Sequence, residues 1–241
     1  MNVIRPNCRI QFTAEDIDFI VSVLGKDYGE ATCLVELLSD DDTRDVILDH
    51  DRLFRAILER SSYLEVSTRL YFYILVRHVL LEAGIKEPEI ADYVAEVLSV
   101  FASAHRTRYP LPNQASPMNY VVDMLAAMQS ASHEQRFLIR AHLGNFTLFL
   151  VGLFPGYIRE RRQRRGSPSL EYYERVGQTS YRVAGNHNLA EQYELGPVFH
   201  SLSDRFHSAR LALNDLSDRL VSLEDARLDP RLLLPPETRG M

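Results

Sequence analysis

Three side chains near the C-terminus have the types and spacing of a metal site. His200, Asp204 and His207 follow one another as His–x3–Asp–x2–His. Residues i, i+4 and i+7 share one face of a helix, so two imidazoles and a carboxylate would project together. That donor set suits iron, manganese or zinc. With open coordination positions, such a centre would activate dioxygen or polarise a substrate.

The spacing is similar to one metal-binding helix of the heme-oxygenase-like dimetal oxidases. The likeness covers one helix and three residues. It implies an iron- or manganese-dependent oxidase, with further Glu and His ligands supplied by other helices. No Glu–x6–His pair is present to match the second helix of such a centre, and Glu171, Glu174, Glu191 and Glu194 are the acids that could be drawn in.

Arginine supplies the other candidate chemistry. Arg159–Glu160–Arg161–Arg162–Gln163–Arg164–Arg165 is the most basic run of the chain. Guanidinium groups form bidentate contacts with carboxylates and phosphates. Arg161, Arg162, Arg164 and Arg165 are therefore candidates for contact with an anion or an acidic partner. The bland alternative is a solvated helix end whose cations suit the negative pole of the helix dipole. No aromatic residue is interleaved within the run, which speaks against base stacking.

Glu65, Arg69, Tyr73 and Arg77 recur every four residues along a second stretch, and Arg136 and Arg140 lie on a third. Guanidinium groups entering a helical core from two elements could clamp an anionic small molecule. They could equally form structural ion pairs, for which Glu65 and Arg69 have the favourable i, i+4 order. There is no Walker loop, dinucleotide fingerprint, nucleophile elbow or His-Glu-x-x-His motif. Cys33 sits beside Leu34 and reads as a packing residue.

All these residues fall on segments with helical periodicity. Thr13 and Asp16 open a first helix, Asp40–Asp42 cap another, and Gly84 closes a long one from about Tyr63. That long helix is apolar nearly all round from Leu70 to Val76. Ser132 and Gln135 form a capping box for a second apolar rod that runs to Phe154 and leaves through Pro155. Gly144 and Gly152 in this rod point to close approach of a crossing helix. Ser116–Pro117 starts a helix ending near Ser130, and Pro197 starts a last long one to Leu223. No strand pattern competes. The expected fold is all-α, with about eight to ten helices in a mixed bundle around two buried helices side by side.

Residues 1–223 are expected to form one domain, with 109–117 as the only sub-boundary and 224–241 as an irregular tail. The chain has 241 residues, 46% hydrophobic and 25% charged, typical of a globular protein. Its net charge of −6 is uneven. Up to Arg108 there are 19 acidic and 12 basic residues, net −7; beyond it there are 14 and 15, net +1. An anion-binding surface therefore belongs to the second half, and the chain as a whole is not a broad nucleic-acid binder.

Two cysteines give no disulfide framework. The N-terminus lacks an apolar signal core, and the central rod is interrupted by polar residues and glycine, so no membrane span is expected. These features suggest a cytoplasmic protein. Its expected role is a non-catalytic interaction or regulatory module, with a protein partner or a second copy of itself. A metal-dependent oxidase and an arginine-based binder of a small anion or nucleic acid are the alternatives.

Overall fold

The computed structural model describes residues 3–59, 66–102, 111, 118 and 120–222. Among them the chain forms thirteen α-helices, a 3-10 turn at Arg9–Gln11 and no strand. The fold is all-α, as the periodicity implies.

Four short helices come first: α1 (Ala14–Leu24), α2 (Tyr28–Leu38), α3 (Asp41–Leu48) and α4 (Asp51–Glu59). Side chains start the first three. Thr13 Oγ1 accepts from the Asp16 N–H while the Asp16 carboxylate accepts from the Thr13 N–H. Asp27 and Asp40 accept from Glu30 and Thr43 in the same way. Each cap satisfies a donor that has no partner within the helix. Cys33 is exposed on α2, not packed as expected. Most of α2 stands in solvent, and only Leu38 is buried.

Helix α5 (Thr68–Glu82) is the first buried rod, and Ser67 caps it. Its expected beginning at Tyr63, and Glu65 with it, lie outside the described residues. Gly84 ends it at φ 78°, where a residue with a Cβ would be strained. Helix α6 (Pro88–Phe101) packs back on α5. The N-terminal segment is laid across both halves of this layer. The Arg9 N–H and guanidinium donate to Asp92 on α6, and the guanidinium also reaches Asp45 on α3 at 2.6 Å.

After α7 (Val121–Ser130) comes α8 (His133–Leu153), the second rod. Every residue of α8 from Ala141 to Leu153 is buried. The expected start of α7 at Ser116–Pro117 lies outside the described residues. Helices α9 (Pro155–Arg165), α10 (Leu170–Gly185), α11 (Asn188–Gln192), α12 (Gly196–Asp204) and α13 (Phe206–Ser222) complete the chain.

Among the described residues the two rods meet each other little, although the apolar patterning alone suggests that they stand side by side. Helix α10 is the main neighbour of α8, and α13 packs on both rods. The α8 glycines are points of close approach. A Cβ on Gly144 would sit 2.6 Å from the Tyr181 ring, and one on Gly152 would sit 2.9 Å from Leu213.

The expected helix from Pro197 to Leu223 is two helices that meet at Arg205, where φ is −107° and ψ 18°. Leu223 itself lies outside the described residues. Ser203 and Arg205 are drawn to other elements at the break: Ser203 Oγ donates to the Gln178 carbonyl, and Arg205 pairs with Glu87. Buried residues from both sides of segment 109–117 form one hydrophobic cluster. Apart from Leu111, that segment is outside the described residues, as is 224–241. Among the described residues no single helix is long and apolar enough to cross a membrane; α8 and α9 reach that length together but are bent by 91°.

Candidate functional site

The basic run is positioned by the end of α8. Proline has no N–H to continue a helix and disfavours helical geometry in the residue before it. Phe154, just before Pro155, takes φ −128° and ψ 47°. The axis turns 91° there, and α9 starts with Pro155 at its first position. Pro155 and Ile158 are buried and root the helix, while Arg159, Arg162, Arg164 and Arg165 are exposed beyond them.

Arg161 is the exception within the run. Its guanidinium lies 5.4 Å from the Tyr157 ring centroid and 5.5 Å from that of Tyr120. Its Nη1 also donates to the Tyr157 hydroxyl at 3.2 Å. Tyr173, close by on α10, has its hydroxyl pKa pushed up by burial, against the opposing field of Arg161. Arg161 thus ties α9 to Tyr120 ahead of α7, and the exposed arginines stand in solvent around it.

Arg159, Arg162 and Arg164 have weak partners. Arg164 pairs with Glu160 one turn back at 2.8 Å, and Arg162 lies 3.9 Å from Glu171. Arg159 Nε donates to the Pro155 carbonyl. Exposed pairs of this kind are worth about 0–1 kcal/mol, so an incoming carboxylate can displace them. Gly166, in the left-handed region at φ 61°, ends the helix.

The structure does not bring the three expected metal ligands together. The break at Arg205 puts His200 and Asp204 on α12 and His207 on α13. All three are exposed. The His200 ring lies over Gly185, where a Cβ would come within 3.0 Å of it. His207 Nδ1 is instead 2.9 Å from Glu174, whose other oxygen lies 2.8 Å from Arg210 Nε. Among the described residues no three His, Cys, Asp or Glu side chains stand close enough to hold a metal ion. The shared face assumed an unbroken helix, and Arg205 interrupts it.

Nor do the core arginines form one clamp. Arg69 makes a bidentate pair with Glu96 at 2.8 and 3.0 Å, and the Cys8 thiol donates to the same carboxylate. Burial and the nearby Glu96 push the Cys8 pKa far above the usual thiol range. Arg77 makes a bidentate pair with Asp49 at 2.6 and 2.8 Å and donates to the Lys86 carbonyl. Arg136 donates to the Met128 carbonyl at the end of α7. Arg140 is half-buried, and burial lowers its pKa.

Sequence reading passed over several residues that matter here. The i, i+4 spacing of Tyr157 and Arg161 was a readable signal; the arrival of Tyr120 was not. His187 caps α11 by accepting from the Leu189 N–H at 3.1 Å, and it stacks on His133 with centroids 4.0 Å apart. Burial, then the field of His133, holds its pKa below the ordinary value. The chain matches no known protein family, no curated protein and no solved structure.

Proposed function

We propose that the protein is a non-catalytic interaction module that docks an acidic protein segment through α9. The observation that carries this reading is the mounting of the arginines. Arg159, Arg162, Arg164 and Arg165 stand in solvent on a helix turned 91° from the core rod. Its root is fixed by buried Pro155 and Ile158 and by Arg161 over the Tyr120 ring. A rigid mount lowers the entropy cost of binding, since the helix need not be ordered on contact.

A peptide carboxylate fits this surface better than a nucleic acid. The two rings nearest the arginines already carry Arg161, so their faces are not free for bases. Glu160 and Glu171 stand among the arginines, and the whole chain is net negative. A long polyanion also meets the net negative charge of the rest of the chain, whereas a short acidic segment stays on α9, where five arginines outnumber Glu160.

Fluorescence anisotropy with a short, labelled poly-glutamate peptide tests the proposal. Binding is expected at low salt and should weaken steadily as sodium chloride is added. A duplex oligonucleotide should bind more weakly under the same conditions. Absence of poly-glutamate binding at low salt, or tighter binding of the duplex, would refute it.

A further inference from the structure

A cavity of about 670 Å³ lies between the N-terminal segment, the start of α6 and the turn from α11 into α12. Cavities that take small organic ligands span roughly 300–1,000 Å³. The walls are apolar, formed by Pro6, Ile10, Ile90, Tyr193, Pro197 and Val198. Ile10 is 72% exposed at the mouth, aliphatic surface left to water unless an occupant covers it.

Two polar atoms of lining residues are buried with no hydrogen-bond partner, Asn7 Oδ1 and Ser201 Oγ. Buried polar atoms are almost always paired, because leaving one unpaired is costly. Asn7 Oδ1 can only accept, so its missing partner must be a donor.

The charges give the sign of the occupant. Three carboxylates line the cavity: Glu87, Glu89 and Glu194. Glu87 is held by Arg205, and Glu89 is 3.8 Å from Arg9. Glu194 has no ion pair among the described residues. Arg5, the one cation of the lining, lies with its guanidinium 4.9 Å from the Tyr193 ring centroid. That ring face accepts a cation through its quadrupole.

The backbone at Glu194 is a further sign. It has φ 57°, the one positive value among the described non-glycine residues. The Leu195 N–H donates to the Ala190 carbonyl and the Glu194 N–H to that of Glu191. Glycine is the usual residue at this position of a helix end. A carboxylate is kept there at the expense of strain, as happens at ligand sites.

We infer that this cavity binds a small amphiphilic amine. The apolar body lies against Ile90, Tyr193 and Val198. The ammonium group faces Glu194 and Glu89. An anion of the same shape would bring its charge against Glu194, the lining carboxylate that no cation holds among the described residues. The arginines of α9 take no part in this lining, so the inference is independent of the acidic-partner proposal.

Calorimetric titration of the full chain with phenylbutylamine, phenylbutanol and phenylbutyrate tests it. Saturable binding is expected in the order amine, alcohol, acid. Val198→Trp should abolish amine binding while far-UV circular dichroism stays helical. Glu194→Gly should keep or raise the melting temperature and weaken amine binding by about tenfold, the loss of one charge-assisted contact. Glu194→Gln, which keeps the shape, should weaken it similarly. Acid binding as tightly as amine, no saturable amine binding, or unchanged amine binding in Glu194→Gln would overturn the inference, even if Val198→Trp fails to fold.

Discussion

Helix α5 carries Arg77 inward at 5% side-chain exposure and meets it with Asp49, which is still 30% exposed. Helix α8 carries Asn145 at 3% exposure and meets it with the hydroxyls of Tyr93 and Tyr181, both at 2.8 Å. Both rods are buried, yet they accommodate polar groups by opposite means. The charges of α5 lie where one partner still touches water, so little solvation is lost. The interior around α8 is shielded from solvent, and its hydrogen-bonded polar side chains, Asn145, Thr147, Tyr93 and Tyr181, are uncharged. Burial pushes the pKa of both tyrosines up, which keeps them neutral donors.

The difference bears on function. A shielded rod with neutral pairing and close glycine contacts is a stiff mount. That rod, not the ion-paired one, continues into the arginine helix. The α5 side instead ties down the N-terminal segment through Cys8, Arg9, Asp92 and Glu96, and this segment forms one wall of the cavity.

Substitutions can break the contrast. The largest effect is expected for Asn145→Ala, which leaves two buried phenols without an acceptor and opens a small void. It should cost about 4 kcal/mol in urea denaturation. Replacing the α5-side pair as a unit, Arg69→Met with Glu96→Leu, should stay within about 1 kcal/mol of the parent. Equal losses in the two experiments would erase the distinction.

Gly177→Ala comes next, because its Cβ would lie 2.4 Å from the Phe206 ring and 2.5 Å from Thr147 Oγ1. A loss of about 2 kcal/mol is expected, after the gain in helix propensity is counted. Gly156→Ala on α9, with nothing within 4 Å of the new methyl group, should be neutral or stabilise by up to about 1 kcal/mol. Thermal unfolding of both variants compares a crowded helix with an open one.

His187→Ala sharpens the comparison further, and its effect is the smallest. Removing this cap should cost about 1 kcal/mol. The folded-state pKa lies below the ordinary 6.5, from burial and then from His133. The neutral imidazole therefore contributes fully above pH 6.5, and the contribution fades as pH falls through the folded value. Denaturation curves on either side of that pH should show the variant's deficit at high pH and its disappearance at low pH. A deficit that grows on acidification would reverse the assignment.

Much of the fold was legible in local sequence. Thr13, Asp40 and Ser132 announce helix starts through bonds made within three residues, and Gly84 and Pro155 announce ends and turns through their own backbone preferences. The break at Arg205 was not legible, because one irregular residue leaves the apolar period in phase on both sides. The separation of the two rods was hidden too, since patterning shows that a face is buried but not by which neighbour. The arginine helix could be read from its composition. Its brace at Tyr120, the carboxylate partners of Arg69 and Arg77, and the cavity at Asn7 and Ser201 all join residues far apart in the chain.

Charge reversal of α9 is the most direct test of the central claim. A variant with Arg159, Arg162, Arg164 and Arg165 all changed to Glu should lose poly-glutamate and gain poly-lysine, with unaltered helicity and melting temperature. Retained poly-glutamate binding by that folded variant would show that another surface does the docking and would contradict the account.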